Sequence, residues 1–538
     1  MPLGSSLSSL EEPQAETALE VQDRTGNEDY DAIVIGSGFG GTMAAQVLVD
    51  AGQRVLMLER GDWVRRGPHN WESSASMHLT PYYTSGPGYR VEEGRHIRSV
   101  RGCHCVGGPS VFYGGVSLRF READFLPHPA LANESTGRWP LCYAELEPFY
   151  SRAEALLHVA GEAGLDPTEP YHSAPYAQAP APLSPTAERI RDAGLQLRLA
   201  PFRLPLAISY SPRDGQAPCR SCTTCDTFAC AVGAKNDLAT TLLPALIRRG
   251  MFLRANTVAR RLICQGRRVT AVEACATAGG APQAFRARQI ILAAGALATP
   301  HLLLASDLHR HNPAGHLIGC NLMRHCSAIV FGVFPWRPNA TPVFHKQLAF
   351  NDYYFGDPEW AGLGGKLGHI QQLPTPPLAL VQSRAPAVVR PLLGPAVDHL
   401  TGLLVMAEDQ PEESNHLGVD WSARDGFGLP QPVIRHQYTQ RDRAARRALV
   451  RRAKQILRRA GALFFHVHEI DTFSHAIGTV RMGEDPARSP LDPHCRFRGL
   501  DNLYVVDASV LPSAASVNPS LTIAANALRV AERLAGQR

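Results

Sequence analysis

Residues 30–61 read YDAIVIGSGFGGTMAAQVLVDAGQRVLMLERG, and this stretch decides the fold class. Its first six residues, Tyr30–Ile35, are apolar and rich in β-branched side chains, which predicts a buried strand, and 54–58 predicts a second one. Between them, the apolar side chains of 42–51 recur with helical spacing. Strand, glycine turn, helix and strand form a βαβ unit, so the sequence predicts a parallel sheet.

The glycine turn between the first strand and the helix predicts a dinucleotide site. Residues 36–41 read GSGFGG and match G-x-G-x-x-G, in which the second glycine lets the backbone approach a pyrophosphate. The helix that follows offers unpaired N–H groups and the positive end of its dipole. Glu59 ends the second strand, where a carboxylate suits the hydroxyls of an adenosine ribose. The alternative interpretation is a turn whose glycines serve packing alone.

Composition narrows the class of protein further. The 538 residues are 44% hydrophobic and 19% charged, which allows several domain-sized units and excludes global disorder. A net charge of only +5 gives no reason to expect a nucleic-acid partner. No apolar run is long enough for a transmembrane segment. Residues 1–28 predict a disordered tail without the features of a secretory signal, so we expect a cytoplasmic enzyme.

Further motifs follow along the chain in a fixed order. They are VGGPSVFYGG at 106–115, GALATP at 295–300, GCNLMRH at 319–325, HAIGTVRMG at 475–483, VDASVLP at 506–512 and VNPSLTI at 517–523. Together with the N-terminal unit, they resemble the glucose–methanol–choline (GMC) oxidoreductase family, in the family's order and roughly its spacing. The resemblance extends over residues 30–530.

This resemblance implies a two-part α/β fold. We expect a Rossmann-type FAD-binding domain interleaved with an α+β substrate domain that contains an antiparallel sheet. The discontinuous FAD-binding domain would comprise 29–125, 205–330 and 470–538. The substrate domain would comprise 126–204 and 331–469.

The resemblance also implies the cofactor and its contacts. Some family members hold FAD covalently through a histidine, but Phe112 stands at that position here, so we predict non-covalent FAD. Tyr113 stands where the family often has asparagine. The residues expected to bind FAD are Gly36, Ser37, Gly38, Phe39, Gly40, Gly41, Glu59, Arg60, Gly107, Gly108, Ser110, Tyr113, Gly114, Val258, Ala294, Gly295, Asp507, Ala508, Asn518 and Pro519.

By the same resemblance, His475 and Asn518 are the catalytic residues. A neutral imidazole can take the proton of an alcohol near pH 7, and an amide can hold the substrate oxygen. Flavin N5 would accept the hydride, so we expect oxidation of a CH–OH group of an alcohol, sterol or sugar to a carbonyl. Oxygen or another acceptor would then take the electrons. The alternatives are a lyase or flavin photoenzyme of the same family, or a dehydrogenase with an iron–sulfur cluster.

A cluster of cysteines bears on that last alternative. Four of the twelve cysteines lie close together, at Cys219, Cys222, Cys225 and Cys230, and four thiolates suit an iron–sulfur cluster or zinc. Many family members carry a metal-free cysteine-rich stretch before a segment like Gly233-Ala234-Lys235, whereas some sugar dehydrogenases of the family hold a cluster there. We predict free or structural thiols and no metal.

Overall fold

The computed structural model describes residues 30–72, 88–93, 96–126, 138–213, 215–340, 346–364 and 366–536, so the predicted tail at 1–28 lies outside the described residues. The strands, in chain order β1 to β18, are Tyr30–Ile35, Val55–Leu58, Gly88–Glu93, His96–Arg101, Phe202–Arg203, Phe252–Arg254, Thr257–Gln265, Arg268–Ala276, Gln283–Phe285, Ala287–Leu292, Cys326–Val333, Leu348–Phe350, Gly368–Leu373, Leu400–Ala407, His416–Arg424, Pro430–Arg435, Phe464–Glu469 and Leu503–Val505. The helices, α1 to α9, are Phe39–Asp50, Tyr143–Leu156, Pro185–Gln196, Leu242–Arg248, Gly295–Ala305, Leu378–Arg384, Leu393–Val397, Gln440–Arg459 and Ser520–Ala535.

The N-terminal βαβ unit is the centre of a five-stranded parallel sheet. Its strand order is β18-β10-β1-β2-β6, and β1 pairs in parallel with both β10 and β2. The strands are almost completely buried, which is typical of parallel sheets and explains their continuous apolar runs. Helix α1 begins at Phe39, earlier than predicted, because Gly40 and Gly41 lie inside the helix.

A six-stranded antiparallel sheet forms the second large layer, with the order β17-β11-β14-β13-β12-β5. Helix α8 covers one of its faces with an apolar stripe that includes Ala445, Leu449 and Ile456. Opposite residues of paired antiparallel strands share a face. The face away from α8 packs toward the parallel sheet, because Ala349 of β12 belongs to the same buried cluster as the parallel strands.

Two smaller sheets complete the described fold. One is mixed, with the order β15-β16-β3-β4, and the other is antiparallel, with the order β7-β8-β9. A parallel sheet combined with a separate antiparallel sheet confirms the predicted α/β fold class. No helix among the described residues is long and apolar enough to cross a membrane.

The strands of the parallel sheet all come from 29–125, 205–330 and 470–538, the ranges expected for the FAD-binding domain. The antiparallel sheet is drawn from 126–204 and 331–469, except that β11 (Cys326–Val333) crosses the expected boundary. The domain limits themselves stay a prediction.

Candidate active site

The glycine turn brings the ends of three parallel strands into contact. Gly36 has φ +104°, and a methyl group there would lie 2.4 Å from the carbonyl oxygen of Ala293. A methyl group at Gly40 would lie 2.3 Å from the carbonyl oxygen of Val506. Both glycines are therefore needed for close backbone packing. A methyl group at Gly38 would meet nothing within 4 Å, so open space lies where the turn would approach a pyrophosphate.

Glu59 is held at the end of β2 by the turn itself. Its Oε2 accepts hydrogen bonds from Ser37 N at 3.0 Å and Ser37 Oγ at 2.6 Å, and its Oε1 accepts from Gly61 N at 2.9 Å. Burial raises the pKa of Glu59, while these hydrogen bonds lower it. A carboxylate has about four lone-pair sites, so one acceptor position is left for a hydroxyl.

The glycine-rich segment 106–115 lies across the turn. Gly107 N donates to Ser37 Oγ at 2.9 Å, and a methyl group at Gly108 would lie 3.2 Å from the Cα of Gly38. Ser110 Oγ donates to Gly107 O at 2.7 Å and stabilises the short helical turn of this segment. The Tyr113 ring packs edge-on against Phe39, with 5.5 Å between the centroids. The structure thus brings these predicted FAD contacts together.

The predicted contacts from the middle and end of the chain reach the same region. Asp507 Oδ2 accepts from Gly295 N at 2.9 Å and from Thr299 Oγ1 at 2.5 Å, which joins the segment after β18 to the start of α5. Ala294 caps that helix and Ala508 follows Asp507 in a short helical turn. Gly114, near the end of the glycine-rich segment, lies next to the carboxylate of Asp226.

Two further predicted contacts, Val258 and Arg60, lie beside Glu59. Thr257 N donates to Glu59 O at 2.8 Å, which places the buried Val258 of β7 next to the end of β2. The guanidinium of Arg60 stacks over the ring of Phe427, with 5.7 Å to the centroid. The open space at Gly38, the spare acceptor of Glu59 and the loop over the turn together fit an FAD molecule.

His475 and Asn518 meet although 43 positions separate them in the chain. Asn518 Nδ2 lies 3.5 Å from His475 Nε2. Backbone hydrogen bonds in both directions between Ile477 and Met323 fix the histidine segment, and Pro519 fixes the asparagine at the start of α9. Both side chains are half-buried. Asn518 Oδ1 is buried without a partner in the described part of the chain.

A second histidine, to which the sequence assigned no role, contacts the first. His325 Nδ1 lies 3.1 Å from His475 Nδ1, and His325 Nε2 lies 3.2 Å from Ala514 O. Asp409 fixes the turn that carries His325, because its Oδ1 accepts from His325 N at 3.0 Å. His325 is the last residue of the GCNLMRH motif, which was the only sequence signal; Asp409 had none.

The surroundings keep His475 neutral. Burial, together with the nearby His325 and Lys346, lowers the pKa of His475 to about 3. This is far below the value near 6.5 that a free imidazole has. At neutral pH, the His475 ring therefore has a lone pair available on one of its nitrogens.

Lys346 links three parts of the site. Its Nζ lies 2.8 Å from Asp226 Oδ2, and the lysine side chain is buried. Asp226 follows the third cysteine of the cluster and lies against Gly114 of the glycine-rich segment. One ion pair thus joins the cysteine-rich segment, the glycine-rich segment and the approach to β12.

Polar side chains lie on the face of the antiparallel sheet that α8 does not cover. Ser327, Met406 and His369 lie opposite one another on β11, β14 and β13. Gln371 lies two residues after His369 and points to the same face. His369 and Gln371 are fully buried, and the Gln371 amide is close enough to His369 to raise the pKa of that ring, although burial lowers it more. We call this pair the polar roof.

The polar roof and His475 share neighbours. Burial lowers the pKa of both His369 and His475, and Lys346 and His325 lower each of them further. His369 Nδ1 lies 2.6 Å from Asn351 Oδ1, which fixes the ring and leaves its Nε2 to face another group.

The cysteine cluster is anchored through a buried lysine. Lys235 Nζ donates to the carbonyl oxygens of Tyr113 at 2.9 Å, Cys225 at 3.0 Å and Phe228 at 2.7 Å. The four cysteines are free thiols, and burial raises the pKa of Cys219 to about 11. Within the described ranges, no three His, Cys, Asp or Glu side chains are placed to hold a metal ion.

Known proteins resemble this chain over nearly its whole length. Residues 30–327 and 411–527 match the two models described as GMC oxidoreductase. The 6'''-hydroxyparomomycin C oxidase of Streptomyces lividus is 32% identical over 95% of this chain and 92% of its own length. The paromamine 6'-oxidase of Streptomyces fradiae is 32% identical over 94% of this chain and 91% of its own length.

Solved structures show the same fold. A formate oxidase variant of Aspergillus oryzae superimposes with a TM-score of 0.66 at 15% identity and covers 96% of this chain and 99% of its own. The pyridoxine 4-oxidase from Mesorbium loti superimposes with a TM-score of 0.63 at 20% identity, covering 95% and 99%. The chain therefore belongs to the GMC oxidoreductase family and is an alcohol-oxidising flavoenzyme whose cofactor is FAD.

Proposed function

We propose that this enzyme oxidises a CH–OH group of a polar, polyhydroxylated or aminated alcohol to a carbonyl, with His475 as the general base. The observation that carries the proposal is the approach of His475 Nε2 and Asn518 Nδ2 to 3.5 Å. A hydroxyl placed between them would face a proton acceptor and an amide donor at once. FAD, when bound, would accept the hydride from the alcohol carbon at its N5.

The protein's own contribution is to hold the alcohol and take its proton. Because its pKa is lowered to about 3, His475 is neutral at working pH and can accept the hydroxyl proton. Asn518 would hold the substrate oxygen in line, and its unpartnered Oδ1 can accept a hydrogen bond from a second substrate hydroxyl. Phe112 is buried at the position where a covalent histidine would stand, so FAD is proposed to bind without a covalent bond.

The polar roof indicates the class of substrate. Burying a polar group against an apolar ligand costs about 1–3 kcal/mol, and His369 and Gln371 bring polar groups to this face of the sheet. A substrate with several hydroxyl or amino groups suits this face better than a sterol does. The relatives from Streptomyces lividus and Streptomyces fradiae are named for oxidation of aminoglycosides. We therefore propose a hydroxyl group of an amino sugar or a related glycoside as the substrate.

The test is anaerobic bleaching of the flavin across a panel of alcohols. The panel would contain an aminoglycoside with a free primary hydroxyl, a simple sugar, an aromatic alcohol and a sterol. We expect fast bleaching with the aminoglycoside, and repeating the assay in air would show whether oxygen accepts the electrons. Bleaching by the sterol alone would contradict the proposed substrate class.

Substitutions would test the assigned residues. His475→Ala should slow flavin reduction by about 10²–10⁴-fold, the usual contribution of a general base. Gln371→Leu should weaken binding of the sugar by about 10-fold or more, because one side of a buried hydrogen-bonding site is lost, while an aromatic alcohol is affected little. An unchanged reduction rate in His475→Ala would overturn the assignment of the base.

A further inference from the structure

We propose that His325 is a positioning residue that fixes the tautomer of His475, so that the lone pair of His475 lies on Nε2 and faces the substrate. This proposal rests on the proposed function, in which His475 is the base. It concerns a chain of four groups in contact: the Ala514 carbonyl, His325, His475 and Asn518.

The carbonyl oxygen of Ala514 determines which group donates and which accepts in each hydrogen bond of this series. Ala514 O lies 3.2 Å from His325 Nε2 and can only accept a hydrogen bond, so His325 Nε2 carries the hydrogen. In a neutral imidazole the other nitrogen is then an acceptor. His325 Nδ1 therefore accepts from His475 Nδ1 across 3.1 Å, and the hydrogen of His475 lies on Nδ1. This leaves His475 Nε2 unprotonated.

The opposite arrangement is unfavourable at both ends. If His475 carried its hydrogen on Nε2, His325 would have to donate from Nδ1 and would turn a lone pair toward the Ala514 carbonyl oxygen. The Nε2–H of His475 would also face the Nδ2 donor of Asn518 at 3.5 Å. The loop 511–519 supplies both the carbonyl of Ala514 and the amide of Asn518, so one segment contacts both histidine rings.

The backbone of His325 shows that this position is held against a conformational preference. His325 has φ 59°, in the left-handed region that residues with a side chain seldom adopt. Asp409 Oδ1 accepts from His325 N at 3.0 Å, and Tyr438 OH donates to His325 O at 2.8 Å. These contacts fix the backbone N–H and C=O of His325, and they therefore fix the position of its ring.

Burial keeps both rings neutral. Burial lowers the pKa of His325, although the carboxylate of Asp409 raises it. His475 is affected by His325 and by the cation of Lys346, both of which lower its pKa. His369 lies near the same groups and its own pKa is lowered by burial. A protonated His325 would donate from both nitrogens and would reverse the tautomer of His475, so its neutrality is required.

The test compares two substitutions at His325. Leucine removes both nitrogens, whereas asparagine can present an amide oxygen near the position of Nδ1. We expect His325→Leu to slow the limiting rate of anaerobic flavin reduction by about 10- to 100-fold, with substrate Kd and the flavin spectrum unchanged. His325→Asn should recover activity to within about 10-fold of the native enzyme. His301→Leu is the matched control, because His301 is a buried histidine bonded to a carbonyl outside this chain of contacts, at Pro430 O.

Two readouts separate positioning from a general loss of structure. Spectra of protein labelled with ¹⁵N-histidine should show a protonated Nδ1 and an unprotonated Nε2 for His475, assigned with His475→Gln, and this signature should be lost in His325→Leu. The melting temperature and the flavin spectrum of His325→Leu should meanwhile stay native, which is the second readout.

The outcomes distinguish this proposal from the proposed function. Native rates and an unchanged tautomer of His475 in His325→Leu would overturn the positioning role of His325 while leaving His475 as the base. A protonated Nε2 on His475 in the native enzyme would also overturn it. Equal losses in the leucine and asparagine variants, with altered melting or flavin spectra, would reduce His325 to a structural role. Full activity of His475→Ala would instead overturn the proposed base.

Discussion

At the scale of single residues, His475 departs strongly from what its type implies. A free imidazole loses its basic form as the pH falls through about 6.5. In this protein the half-buried ring loses part of its hydration and lies beside His325 and Lys346, and its pKa is lowered to about 3. The group that we propose as the base therefore stays neutral throughout the pH range in which the protein would work.

This lowered pKa predicts a flat pH profile. A base acts in its unprotonated form, which is lost only as the pH falls below the pKa of the group. We expect the limiting rate of flavin reduction to change little between pH 5 and pH 8, and to fall only on approach to the pKa of about 3. Stopped-flow reduction at saturating substrate measures this rate. A fall with a midpoint near 6.5 would show that His475 titrates like a free imidazole.

Two glycines of the same turn provide a second prediction at this scale. Gly40→Ala should destabilise the fold by about 1–3 kcal/mol or more, since the methyl group would lie 2.3 Å from Val506 O. Gly38→Ala is the matched control for folding, because its methyl group meets nothing within 4 Å.

The same control tests where the cofactor lies. Gly38→Ala should melt like the native protein, yet bind FAD more weakly, because the open space at Gly38 is where the pyrophosphate would approach. Thermal melting of the apoprotein and quenching of flavin fluorescence measure the two effects. Unchanged FAD affinity in Gly38→Ala would place the pyrophosphate elsewhere.

At the scale of elements, the cysteine-rich segment is positioned by Lys235 rather than by its cysteines. The ammonium is buried and donates to three carbonyl oxygens, one of them that of Tyr113 in the glycine-rich segment. Asp226 of the same segment pairs with Lys346. These contacts connect the segment to the site.

Removing the ammonium should release this segment. Lys235→Met keeps much of the volume but leaves three carbonyl oxygens without their donor, so we expect a loss of about 2–4 kcal/mol in the free energy of unfolding. The thiols of Cys219, Cys222, Cys225 and Cys230 should also react faster with a thiol reagent. Lys454→Met, on α8, is the matched control and should change neither quantity. Native thiol reactivity in Lys235→Met would contradict the anchoring role.

At the scale of the whole molecule, the cofactor site is assembled from distant parts of the chain. Hydrogen bonds join Ser37 to Gly107 and Gly295 to Asp507, although these residues come from four separate segments. Any ligand that bridges these segments stabilises the folded state alone. FAD binding is therefore expected to stabilise the whole α/β unit.

We expect FAD to raise the stability of the apoprotein in a concentration-dependent way. At 100 times its Kd, a ligand that binds only the folded state adds about 2.7 kcal/mol. Thermal melting with increasing FAD measures this effect, and acid precipitation should release all of the flavin into solution, since Phe112 cannot form a covalent bond. Flavin that stays with the precipitated protein would overturn the non-covalent assignment.

The sequence by itself determined the βαβ unit, the class of fold and the candidate pair His475 and Asn518. Local periodicity and glycine spacing encode the βαβ unit, because they depend on neighbours a few residues apart. The two-part fold and the pair followed from the resemblance of the later motifs to the GMC family.

Only the tertiary structure decided what surrounds the pair. His325, Asp409, Lys346 and the polar roof carry no local signal of their partners, because those partners lie far away in the chain and meet only when the two sheets pack together. The pKa of His475 also depends on the tertiary structure. Desolvation and nearby charge, rather than residue type, lower it to about 3.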